Sequence, residues 1–194
     1  GQGSQYIGMG KDFFTTYPLA KETLQASEDI LKKNISKILL EGPKELLTAT
    51  SNSQLAIFIM SVAITRVIEE QLPGVIPSIC GGLSLGEYSA LVASNKISFE
   101  ECLPVVQARA SLMHDACEQY PGTMAVVMGL SADDVESLVA ELELPHDLWV
   151  ANLNCPGQVV LSGTKKGIEK GKEAALKKGA KRVLSLPVHG AFHS

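Results

Sequence analysis

No C-x-x-C pair occurs anywhere in the 194-residue chain, and its four cysteines (Cys80, Cys102, Cys117 and Cys155) are scattered. That spacing suits neither a zinc site nor a disulfide framework, so a reducing, cytoplasmic compartment is expected. Three of the histidines, His114, His146 and His189, lack the spacing of a metal cluster, and no metal or redox cofactor is implied. The opening G-Q-G-S-Q resembles a phosphate cradle but has no P-loop lysine. Low-complexity tracts and a secretory signal are missing as well. No apolar run approaches the roughly 20 residues of a membrane span. The most apolar stretch, Leu55 to Val67, is interrupted by Ser61, Thr65 and Arg66, and reads as a buried helix.

What is present is enough apolar material, 45% of residues, to bury a real core, with an ordinary charged fraction of 20%. The net charge of −4 argues against nucleic acid as the main partner. Positive charge is nevertheless concentrated at Lys165, Lys166, Lys170, Lys172, Lys177, Lys178, Lys181 and Arg182, opposed locally only by Glu169 and Glu173. This is either a solvated helix face or a landing patch for an acidic partner. The chain opens without Met inside a glycine-rich turn and closes on G-A-F-H-S, so part of the protein is expected to be missing.

Helical spacing runs from Phe13 to about residue 40 and ends at Gly42-Pro43. A strong helix is predicted over 53–72, stopped by Pro73-Gly74. A short apolar strand over 75–80 follows, then a tight turn, a helix over 86–94 and another over 98–118. After Pro121-Gly122 the pattern changes. Strands are predicted over 123–129, 148–153, 158–162 and 182–186, with helices over 131–142 and 164–178. Ser131, with Asp133 and Asp134 in the first turn, opens the first of those helices. The order β-α-β-β-α-β is the ferredoxin-like pattern, which suggests a small subdomain inserted in a larger α/β domain.

Gly82-Leu83-Ser84-Leu85-Gly86 fits G-x-S-x-G between the apolar strand and a helix. A strained strand-to-helix turn lifts such a serine into the open, and the glycines let backbone crowd it. The helix N-terminus and the amide after the serine then suit a tetrahedral oxyanion. The bland alternative is that Ser84 is a plain helix cap. His193 lies more than a hundred residues on, in a small-residue loop after a strand, where it is either a surface residue or a base reaching Ser84. Arg109, mid-helix, is either a solvated residue or a bidentate clamp for a substrate carboxylate.

The blocks G-Q-G-S-Q-Y-I-G-M-G, G-L-S-L-G-E-Y-S-A-L, Q-A-R, G-T-M-A-V-V-M-G-L, A-N-L-N-C-P-G-Q-V-V-L-S-G and G-A-K-R-V-L-S-L-P-V-H-G-A-F-H-S occur in this order. Together they make the chain resemble the malonyl-CoA:acyl-carrier-protein transacylases along essentially its whole length. The resemblance implies a hydrolase-like parallel-sheet α/β core over 1–121 and 188–194, with the ferredoxin-like subdomain over 122–187. It implies Ser84 as nucleophile, His193 as base, and the backbone amides of Gln2 and Leu85 as the oxyanion hole. Arg109 would bind the malonyl carboxylate, and Gln54 would line the site. Asn152 and Asn154 match the subdomain's asparagine motif, with a structural role. Malonyl-CoA would be the substrate and acyl carrier protein the partner, with Lys177 and Lys178 in its landing patch. No permanently bound cofactor, nucleic acid or membrane is implied. A plastid stroma is the alternative to the cytoplasm.

Two departures from the family pattern stand out: Leu83 occupies the position of the histidine in the common G-H-S-x-G-E motif, and the later segment whose carbonyl or polar side chain orients the family's base is lacking. Phe192 before His193, by contrast, resembles the malonyl-selective form of that loop. Two rival functions also fit G-x-S-x-G. One is an α/β-hydrolase esterase, for which Asp133, Asp134 and Asp147 are the available acids. The other is an inactive domain that binds carrier protein.

Overall fold

Proline at position 18 divides what periodicity alone reads as one helical stretch. It occupies the first helical position after Tyr17, where a missing N–H costs nothing. Helix α1 (Lys11–Thr16) therefore stops, and α2 (Pro18–Leu31) begins. Lys32, at φ 50°, ends α2. Asn34 then accepts the Lys37 amide at 3.0 Å to start α3 (Ile35–Glu41), and Gly42-Pro43 closes it as expected. Two further helices follow, α4 (Lys44–Thr48) and α5 (Thr50–Gln71). This computed structural model describes residues 2–188 and 190–194, which fall into two compact units, Gly1–His114 and Asp115–Ser194. Expectations for Gly1 and His189 lie outside the described residues.

In the first unit α5 is the central helix. Its buried residues include Leu55, Phe58, Ile59, Val62 and Val67, and they join Phe14, Leu24, Ile35, Leu39 and Leu47 in one cluster. Phe58 stacks on Phe99, ring centroids 5.8 Å apart, and burial of each ring is worth about 1.5–3 kcal/mol. By length and composition α5 would suffice to cross a membrane, but 61% of its apolar window is buried inside the fold. It serves as a core helix, as the interrupted apolar stretch implied. Helix α6 (Leu85–Ala93) and α7 (Phe99–Gln119) as far as His114 complete the unit, with Leu85, Phe99, Leu103 and Val106 in the same core.

The strand predicted over 75–80 is absent. Residues 75–83 run as irregular chain, with Ile76 82% and Ile79 89% exposed. A strand needs a neighbour to take its amides and carbonyls, and Pro73 and Pro77 each withhold a donor. Among the described residues no other strand lies in this unit, so apolar character alone does not make the segment extended.

The second unit follows its predicted order closely: β1 (Thr123–Met128), α8 (Ala132–Glu141), β2 (Leu148–Cys155), β3 (Gln158–Gly163), α9 (Lys165–Lys177) and β4 (Arg182–Ser185). The strands form a sheet in the order β2-β3-β1-β4, and every neighbouring pair is antiparallel. Ser131 and Asp134 cap α8 reciprocally, the Ser131 hydroxyl oxygen accepting the Asp134 amide at 3.1 Å. Thr164 caps α9 by accepting the Gly167 amide at 3.0 Å, and it donates its hydroxyl to Asp147 Oδ1 at 2.7 Å. Val127, Val135, Leu138, Leu148, Leu161 and Ile168 form the core between sheet and helices. The β2-β3 ladder shifts register around Asn152 and Cys155, and Asn154 donates to Gln158 Oε1 across the hairpin at 3.1 Å. Among the described residues the chain is thus α/β, with many helices and one small antiparallel sheet.

Candidate active site

Ser84 sits at the N-cap of α6 with φ 55° and ψ −114°, a backbone region that disfavours any residue with a side chain. Gly82 makes this bend possible. A Cβ there would lie 2.0 Å from the Gly86 carbonyl oxygen. Gly86 itself has open space where its Cβ would be, so only the first glycine of the pair is sterically required. The Ser84 side chain does not cap its own helix. The plain-cap alternative is therefore set aside. Leu85 is buried at the first position of α6, where amides have no intrahelical acceptor.

Two other helices bring side chains to this bend. From α7, half-buried Arg109 donates Nη2–H to Ser84 Oγ at 2.9 Å and Nη1–H to Gln54 Oε1. Gln54, fully buried on α5, turns its amide nitrogen toward Met113 Sδ at 3.3 Å. The Arg109 guanidinium carbon stands 5.6 Å from the centre of the Tyr88 ring, within cation–π range. One helical turn before Gln54, buried Thr50 accepts the side-chain amide of Gln2 at 3.1 Å. Ser84, Arg109 and Gln54 thus belong to one neighbourhood, with Gln2 held against Thr50 one turn from Gln54, and the reading of Arg109 as merely solvated does not hold.

Tyr88, Met113 and Thr50 were not among the residues singled out from sequence. Each lies four positions from one that was: Tyr88 after Ser84, Met113 after Arg109, Thr50 before Gln54. That spacing places each pair on one helix face, a signal the sequence did carry.

His193 lies in the second unit. It is exposed, in the left-handed region at φ 61°, between buried Phe192 and Ser194, whose hydroxyl donates to the Ala191 carbonyl at 3.0 Å. The loop bearing it is closely packed. A Cβ on Gly190 would meet Cys117 Sγ at 2.0 Å, and one on Gly122 would meet the Ala191 side chain at 2.5 Å. Burial, with the nearby Glu118 carboxylate, pushes the Cys117 thiol above its ordinary range.

Two of the acids available to an esterase are occupied in helix caps, Asp134 with Ser131 and Asp147 with Thr164. On α9, Lys177 pairs with Glu173 at 2.7 Å and Lys178 with Glu141 at 3.7 Å, which dilutes the positive face there. Among the described residues, no three His, Cys, Asp or Glu side chains gather as metal ligands would.

The chain matches the acyl transferase domain family over residues 1–194. It is 40% identical over its full length to the malonyl CoA-acyl carrier protein transacylase of Bacillus subtilis, of which it covers 61%. Against the enzyme of that name from Escherichia coli K12 it is 36% identical and covers 62%. In structure it resembles the acyl-carrier-protein S-malonyltransferase of Burkholderia pseudomallei, with a TM-score of 0.90 at 42% identity, covering 100% of this chain and 62% of that one. It also resembles a malonyl-transacylase solved in complex with its type II PKS acyl-carrier protein. There the TM-score is 0.91 at 37% identity, with 98% of this chain and 62% of that one covered. The chain therefore spans about three-fifths of the length of these relatives.

Proposed function

The chain belongs to the acyl transferase domain family, and from that premise we propose that it forms the serine-bearing part of an enzyme moving malonyl from coenzyme A to acyl carrier protein. The observation that carries this reading is the 2.9 Å contact between Arg109 Nη2 and Ser84 Oγ. It sets a planar cation, suited to grip a carboxylate with two parallel hydrogen bonds, beside a hydroxyl on a strained helix-opening bend. An acyl group held by Arg109 at its free carboxylate would present its other end near Ser84.

In the proposed sequence Ser84 Oγ attacks the malonyl thioester carbon while its proton passes to His193. The backbone amides of Gln2 and Leu85 hold the oxyanion. Collapse breaks the C–S bond, and the coenzyme A sulfur leaves with the proton from His193. Malonyl then rests as an ester on Ser84. The phosphopantetheine thiol of the carrier protein repeats the steps in reverse, releasing Ser84 and taking the malonyl group. All residues used are the chain's own, and no metal or redox group enters. Phe192 would crowd a substituent on the malonyl α-carbon. Lys177 and Lys178 are assigned to the landing patch for the acidic carrier protein, with their glutamate partners lowering its strength.

We assign residues 1–121 and 188–194 to a hydrolase-like core. Residues 122–187 are the ferredoxin-like subdomain. The sheet order β2-β3-β1-β4 supports the second assignment.

The test is intact-mass spectrometry of the full-length protein after brief incubation with malonyl-CoA. A malonyl adduct is expected that is missing in Ser84→Ala and discharges on adding carrier protein. An adduct persisting in Ser84→Ala would refute the assignment, and rapid hydrolysis without carrier protein would favour an esterase.

A further inference from the structure

Gln54 is fully buried between two unlike neighbours, Arg109 on one side and Met113 on the other. A guanidinium offers donors only, so the Gln54 atom facing it must be the carbonyl oxygen. The amide nitrogen is then forced to the opposite side, where Met113 Sδ stands at 3.3 Å. A thioether accepts weakly, but it accepts, and a hydrocarbon of the same size does not. Arg109 and Met113 are four residues apart on α7, so a single turn of helix supplies both ends of the Gln54 clamp.

We infer that Met113 is a positioning residue: its sulfur fixes the direction of the Gln54 amide, and Gln54 in turn holds the Arg109 guanidinium in the plane that a substrate carboxylate needs. The inference rests on the proposed role of Arg109 as carboxylate clamp. Met113 touches neither Ser84 nor the transferred group in this scheme, so its influence falls on donor selectivity rather than on acyl transfer in general. With the acceptor gone, the buried amide nitrogen has reason to turn, and the oxygen leaves Arg109 when it does.

The experiment compares kcat/KM for malonyl-CoA and acetyl-CoA in the full-length protein, with carrier protein as acceptor. Met113→Leu keeps the bulk and removes the acceptor. It should lower the malonyl-to-acetyl ratio about two- to tenfold, the range a single modest hydrogen bond spans. The acetyl rate should stay near wild type. Met113→Gln restores an acceptor of similar reach and should restore the ratio. In a Gln54→Ala background, Met113→Leu should have no further effect on the ratio. An unchanged ratio in Met113→Leu, or an equal fall for both donors, would overturn the inference. Should Met113→Leu fail to fold, Met113→Gln alone decides: a retained ratio supports the inference, and a lost one overturns it. The proposed function fails separately, if the unaltered protein forms no Ser84 adduct at all.

Discussion

Replacing Arg109 with alanine removes the fork that meets both Ser84 Oγ and Gln54 Oε1. If a malonyl carboxylate docks there, the variant loses two charge-assisted hydrogen bonds, while acetyl-CoA, with no carboxylate, loses none. Truncating one partner of a buried charged pair costs about 2–5 kcal/mol. Because Arg109 is only half-buried, water screens part of this, and we take the lower portion, about 2–3 kcal/mol. At 1.36 kcal/mol per decade, kcat/KM for malonyl-CoA should fall about 30- to 160-fold. Lysine at 109 keeps the charge but not the fork and should fall between the two. The assay is stopped-flow acylation of Ser84 with each donor, normalised to the fraction of protein that acylates. Normalisation matters because Gln54, buried and deprived of its donor, will also lower stability. A malonyl-to-acetyl ratio within about threefold of wild type would refute the clamp, since it would place the carboxylate's partner elsewhere.

Two further outcomes test the surrounding architecture. Gly82→Ala forces a methyl against the Gly86 carbonyl, which should destabilise the protein by about 1–3 kcal/mol and abolish acylation; a normal melt with full activity would show that the bend relaxes freely. Asp134 is held below the ordinary aspartate range by hydrogen bonds from the Ser131 hydroxyl and amide, so its contribution is present above the unfolded pKa and lost as pH falls through the folded one. Melting temperature should therefore drop more steeply in acid for wild type than for Ser131→Ala; parallel acid limbs would contradict this.

How much of this was legible in the sequence depended on whether an element carries its own instructions. The second unit does. Ser131 with Asp134, and Thr164, are local signals, and each boundary fell within two residues of its predicted place. Residues 75–80 carry no such signal. They are apolar enough for a strand, but the ladder that makes a strand comes from another part of a chain, and composition cannot supply it. At the site, G-x-S-x-G located the bend, but the direction of Arg109 stayed open, because helical position fixes a face and not what lies against it. The contact with Ser84 resolved that ambiguity. Tyr88, Met113 and Thr50 were missed for a different reason: each looks like an ordinary core-facing residue, and only its four-residue offset from a polar neighbour marks it.

The backbone at Ser84 has one more consequence. A serine held at φ 55° and ψ −114° sits where glycine would be at ease, so the fold carries a local penalty of about 1–3 kcal/mol that a single substitution could relieve. Ser84→Gly should accordingly melt at a higher temperature than the unaltered protein while being unable to accept an acyl group. The molecule would then be seen to forgo robustness at one position in order to keep a reactive oxygen poised there.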